Sequence, residues 1–200
     1  SIKVRRVGPA EMLLSARGSL AAEVQSIYPS LIERAKKNLN HPVRRIRAEA
    51  AWILSAHNLD QRDFAAMAAL CANDDQIIRS EAVQILSAAC DAAQERLEEP
   101  LQTSLTAGLL PLLRAGTDDP VEEIGTVAAQ GLAQLMIGQG DTDGLLKLLH
   151  HQSAGVLASA AQKVWLALVV SNLDAQPLVE RLIELITHSS EPVRRYAALA

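Results

Sequence analysis

Aromatic side chains are scarce: two Trp, two Tyr and one Phe make up 2% of the 200 residues. A sheet relies on β-branched and aromatic residues to cover its pleated faces, so this shortage, with abundant Ala and Leu, points to closely packed helices. Cysteine is nearly absent too. Cys71 and Cys90 are the only two, and neither has metal-ligand neighbours, which excludes a disulfide framework and a Cys-built metal site. They read as reduced core thiols of a cytoplasmic protein, with one bridge between them as the alternative. No apolar run approaches the ~18 residues that span a bilayer, and no basic-then-apolar leader is visible. The chain opens on Ser1 rather than Met, so removal of a leader or a preceding domain is expected.

Motifs that carry chemistry are missing as well. There is no nucleophile elbow, no Gly-rich phosphate loop, no paired Cys ligands and no His-Glu helix motif. The carboxylate pairs Glu98-Glu99 and Glu122-Glu123 are adjacent rather than opposed across a cleft, as acid/base work would require; they read as solvated surface. His41, His57, His150, His151 and His188 lack helical metal-ligand spacing. His57, His150 and His188 sit where a helix C-terminus favours a cation. The expectation is a non-enzyme with no catalytic residue, no metal site and no cofactor.

What is present is a repeat. The stretch IRAEAAWILSA from Ile46 returns as IRSEAVQILSA from Ile78, 32 residues later, with eight of eleven letters shared. With Ile46 and Ile78 as position zero, Ile124, Val156 and Val193 open three further copies. Ala recurs four residues on, and an apolar residue eight on, so each copy is an amphipathic helix whose small Ala admits a close neighbour. Before every copy stands a turn signal: Asn40-His41-Pro42, Asn73-Asp74-Asp75, Asp118-Asp119-Pro120, His151-Gln152-Ser153 and Ser189-Ser190-Glu191-Pro192. An Asx or Ser residue there is expected to cap the helix. Before each turn lies another apolar helix, and the first and last of these share a phrase, SLIERA from Ser30 and PLVERL from Pro177. A period in this range means stacked helix pairs with one continuous core.

The organisation expected is an N-terminal segment and leading helix at 1–28, then an array over 29–200, divided into 29–57, 62–89, 101–136, 142–170 and an incomplete 177–200. The second helix of the last pair stops at Ala200 after two turns. Something is therefore expected to follow it, or to cover it, including self-association through that end. A 14-residue excess, DAAQERLEEPLQTS, separates copies two and three and reads as a lengthened first helix or an inserted loop.

The segments Asn40-His41-Pro42-Val43-Arg44, Asp75-Gln76-Ile77-Ile78-Arg79 and Ser190-Glu191-Pro192-Val193-Arg194 resemble HEAT repeats, in which a cap is followed by an apolar-Arg pair. The resemblance covers residues 29–200 and implies an all-α solenoid, a superhelix of about five helix-turn-helix repeats of the armadillo-like kind. It implies that an Arg braces each repeat against the next by pairing with a turn Asp, a role falling to Arg44 or Arg47, Arg79 and Arg194. Copies three and four depart from this, with Glu122 or Gly125 and then Leu157 in that place.

The resemblance also implies that second helices line the binding face. Six residues past zero the copies read Trp52, Gln84, Gln130 and Gln162; two past zero Ala48, Ser80, Thr126 and Ala158; nine past zero Ser55, Ser87, Ala133 and Trp165. These describe a groove with small walls, amides for a backbone and an indole near each end, suited to a peptide or helix. The other reading of the Gln column is a solvated face of good helix formers. Arg44, Arg45 and Arg47, with Lys36 and Lys37 one helix earlier, form a candidate anion-binding cluster or a solvated first turn. Residues 1–50 carry ten basic against four acidic side chains and residues 51–200 nine against nineteen, so most of the chain repels a phosphate backbone. The expected function is a protein-binding scaffold for a protein or peptide partner, with no membrane and no nucleic acid. The alternatives are a HEAT-like enzyme scaffold of the DNA glycosylase or phycobilin lyase kind, or a nucleic-acid or phosphate binder acting through the basic repeat.

Overall fold

The structure, a computed structural model, describes residues 21–96, 99–170 and 174–199, and excludes from description the side chains of 21–26, 91–102 and 169–170. Among the described residues it is all-α, with ten helices and no strand. They are α1 Ala21–Asn38, α2 Arg44–Asp60, α3 Phe64–Cys71, α4 Gln76–Arg96, α5 Glu99–Thr117, α6 Glu122–Gln139, α7 Thr142–Leu148, α8 Ala154–Val170, α9 Ala175–Leu185 and α10 Glu191–Leu199. Of the leading segment 1–28, residues 1–20 lie outside the described residues, and the remainder belongs to α1. No helix of the described residues is long and apolar enough to cross a membrane.

Two compact units divide the chain, Ser1–Ala82 and Val83–Ala200. In the first, α2 packs against α1 and α3 around Ile32, Ala35, Ala50, Leu54, Met67 and Leu70. In the second, α6 packs against α5, α7 and α8, and α8 against α7, α9 and α10. The stripe that defines the repeat is the stripe that is buried. At its start lie Ile78, Ile124, Val156 and Val193; four residues on, Ala50, Ala82, Ala128, Ala160 and Ala197; eight on, Leu54, Leu86, Leu132 and Val164. Ile46 alone is only half-buried. Small residues do let helices close in: a methyl at Gly116 of α5 would stand 2.9 Å from the Ala128 Cβ of α6.

The excess between copies two and three is helical on both sides, since α4 runs on to Arg96 and α5 starts at Glu99. Lengthened helices take it up; residues 97–98 lie outside the described residues. Pro100 sits in the first turn of α5, where no intrahelical donor is lost, whereas Pro111 lies inside the helix and removes one.

The Asx or Ser cap expected of the turns is present before α4, where Asp75 Oδ1 accepts from the Ile77 N–H at 2.9 Å, and before α8, where Ser153 Oγ accepts from the Val156 N–H at 3.4 Å, but not before α2 and α6. The residue at the cap of α2 is Val43 and that of α6 is Val121, and neither offers a side-chain bond. The side chain two residues earlier accepts that backbone N–H instead. His41 Nδ1 accepts from Val43 at 3.1 Å, Asn73 Oδ1 from Asp75 at 2.9 Å, Asp119 Oδ1 from Val121 at 2.8 Å, His151 Nδ1 from Ser153 at 3.1 Å and His188 Nδ1 from Ser190 at 3.0 Å. All five accepting residues stand five places before position zero. Imidazole nitrogen and Asx oxygen thus do the same work, satisfying a donor that a helix start leaves without a partner.

Candidate functional site

The turns are tied down by arginine one residue past zero. Arg47 Nη1 donates to the carbonyls of His41 at 2.9 Å and Pro42 at 3.0 Å; Arg79 does the same to Asn73 and Asp74, and Arg194 to His188 and Ser189. Of Arg44 and Arg47, it is Arg47 that reaches the next turn, where its Nε donates to the Asp75 carboxylate. Asp75 also accepts from the Ile77 N–H at 2.9 Å. Burial raises the Asp75 pKa, but the Ile77 bond, the Arg47 guanidinium and the charge of Arg79 outweigh it and hold the carboxyl below its ordinary value of 3.8. A carboxyl depressed by folding contributes stability above its unfolded value and loses it as pH falls through the folded one. Asp75→Asn is therefore expected to be less stable than the wild type at pH 7, with the gap closing below about pH 4; urea midpoints at neutral and acid pH measure this.

Copy four carries buried Leu157 in place of that arginine, and copy three lacks it for a local reason. At Gly125 a Cβ would stand 3.0 Å from the Thr117 carbonyl oxygen, so no side chain fits without a shift. A different pair of links joins the turns of α6 and α8. Glu122 Oε1 accepts from the Gly155 N–H at 3.0 Å, and His151 Nε2 meets Asp118 Oδ1 at 3.2 Å. Since His151 Nδ1 is already an acceptor, its proton lies on Nε2 and is donated to Asp118. Glu122 is thus more than the solvated carboxylate its sequence suggests; it places charge at the first turn of α8, where the helix dipole favours it.

The histidines at helix ends are used as hydrogen-bonding groups. His57, in the last turn of α2, bonds Tyr28 Oη at 3.2 Å with the rings edge to face. Burial, and then the charge of Asp60, raise the Tyr28 pKa. His150 Nδ1 donates to the Leu146 carbonyl at 2.8 Å. Neither cysteine is in a disulfide, and Cys90 Sγ donates to the Leu86 carbonyl at 3.1 Å. Among the described residues no three His, Cys, Asp or Glu side chains are grouped as a metal site would need.

The residues expected to line a groove fall into two sets. Gln84 of α4 is exposed; Gln130 of α6, and Gln162 and Trp165 of α8, are half-buried; all four belong to the second unit. Trp52, half-buried on α2, belongs to the first. Gln130 lies one turn from Gln134, whose Oε1 accepts from Lys163 of α8 at 3.0 Å, so it stands at the edge of the α6–α8 seam. Of the small walls, Ala48, Ser80, Ser87 and Thr126 are half-buried, whereas Ser55, Ala133 and Ala158 are buried and line no groove. With α5, α7 and α8 all packed against α6, that helix keeps only a narrow strip open, and nine residues past zero lies outside it. Of the basic cluster, Arg47 is committed to the turn, Arg45 pairs with Glu49 at 3.1 Å, and Arg44 is exposed.

No family model matches the sequence, and no curated protein matches it. Among solved structures, the chain is similar to a crystal structure titled as an engineered protein, a target of the Northeast Structural Genomics Consortium. The TM-score is 0.51 and the identity 23%, over 84% of this chain and 77% of that one. Likeness at that identity speaks for the fold alone.

Proposed function

We propose that the helix pairs form a HEAT-like solenoid that acts as a non-enzymatic, cytoplasmic scaffold, binding a peptide or a helix of a protein partner along its second helices. The observation that carries this reading is the row of like amides. Gln84, Gln130 and Gln162 recur at one position of three second helices, and none is in the core, whereas zero, four and eight places along are buried in all three. Trp165 stands beside the row, and an indole at half burial is the kind of side chain that anchors a partner. Amides in a row suit a partner that presents backbone donors and acceptors. Trp52 is a contact of the first unit in its own right.

The test compares partner retention by the wild type and by a Gln84→Ala, Gln130→Ala, Gln162→Ala variant whose helicity is confirmed by circular dichroism. The row requires affinity for the retained protein to fall by about tenfold or more, the effect of removing one strong contact. Equal affinity in both makes the row a solvated strip.

A further inference from the structure

The first and last of the outer helices carry the same docking element, filled in one and empty in the other. His188 and His41 cap equivalent turns, and this equivalence sets SLIERA of α1 over PLVERL of α9, with Leu31 on Leu178 and Arg34 on Arg181. In α9 the element is occupied. Leu178 is fully buried, α9 packs against α7, and Arg181 Nε donates to the Leu149 carbonyl at the end of α7 at 3.1 Å. In α1 it is open: Leu31 is 39% and Ile27 62% exposed. Arg34 is exposed and has no hydrogen-bond or ion-pair partner among the described residues.

The receiving face is also present twice. His151 and His188 bring Leu146 of α7 and Leu149 just past its end into register with Ile183 of α9 and Ile186 just past its end. Leu149, whose carbonyl receives Arg181 of α9, is fully buried and Leu146 half-buried, whereas Ile186 is 42% and Ile183 60% exposed. So α9 presents to solvent the kind of face that α7 uses to receive α9.

We infer that this chain binds a second copy of itself head to tail, α1 of one copy seated on α9 of the other as α9 is seated on α7. Leu31 and Ile27 then cover Ile183 and Ile186, and Arg34 donates to the Ile186 carbonyl as Arg181 does to that of Leu149. Charge favours this pairing over like ends meeting. Exposed Arg34, Lys36 and Lys37 lie on α1, whereas exposed Glu180, Glu184 and Glu191 lie on or beside α9. Such a contact is heterologous, because each copy contributes a different surface.

That asymmetry gives the test. The 200-residue chain is run in sedimentation velocity over a hundredfold range of concentration, beside Leu31→Glu, Ile183→Glu and Arg34→Ala. Both glutamates enter exposed positions, and circular dichroism checks their folds. The wild type is expected to gain mass with concentration, Arg34→Ala to associate several-fold more weakly, and each glutamate variant to stay at 21.5 kDa alone. Mixed, the two glutamate variants should form a one-to-one dimer and nothing larger, since only one intact α1 face and one intact α9 face remain. A wild type that stays monomeric throughout overturns the inference, as does a Leu31→Glu variant that associates like the wild type, which would mean that α9 pairs with itself.

Discussion

Gly131→Val is expected to destabilise the second unit by about 3 kcal/mol, the upper part of the range for forcing carbon into a filled core. Gly131 lies in α6, and a Cβ there would come within 2.8 Å of the Ser87 Cα, with Ser87 Oγ at 3.0 Å and Cβ at 3.1 Å. The nearest atom belongs to the backbone of α4, so no rotamer change relieves the contact; the two helices must separate. Replacing Gly within a helix ordinarily gains about 1 kcal/mol for Ala and less for a β-branched residue, which the clash exceeds. The corresponding residues of other copies are Ile53, Ile85 and Lys163, so the helical position itself tolerates bulk and the loss belongs to this approach alone. Thermal melts measure it. A Gly131→Val melt equal to the wild type's would mean that α4 and α6 are not in contact there.

Arg47→Ala is expected to cost about 2 kcal/mol, within the range for hydrogen bonds to a charged group. Its guanidinium binds two carbonyls of the turn before α2 and the Asp75 carboxylate of the turn before α4, with only 22% of the side chain exposed. Removal leaves those carbonyls without a donor and Asp75 without its nearest cation. Arg45→Ala is the control. That arginine pairs with Glu49 one helical turn away, but 84% of its side chain is in solvent, where such pairs contribute at most a few tenths of a kcal/mol. Urea midpoints of the two variants at pH 7 separate the cases: similar losses would mean that Arg47 is a surface charge like its neighbour.

The apolar stripe was legible because burial of Ile, Leu, Val and Ala follows their own chemistry and a helical period, both written in the chain. Ile78, Ala82 and Leu86 needed no knowledge of their neighbours. The turn chemistry was harder to read, since a histidine near a helix end is a cation, a donor or an acceptor depending on where the backbone bends. Only when His41, Asn73, Asp119, His151 and His188 are aligned on the stripe does their common offset appear, and that offset was the signal available. Glu122 looked like half of an exposed acidic pair because its partner, the Gly155 N–H, is 33 residues away. The burial of three of the small wall residues was illegible for a related reason: a helical wheel shows one buried face, whereas α6 meets α5, α7 and α8 together and buries Ala133 as well.

The binding surface assigned to the second helices is most directly tested by photo-crosslinking. A photoreactive residue is placed at Gln130, at the open strip of α6, and in a second protein at Ala107, an exposed position of α5. Each is then irradiated with the protein that the wild type retains. An adduct from position 130 and none from 107 is the expected result. An adduct from 107 with none from 130 would contradict it and move the partner to the outer helices.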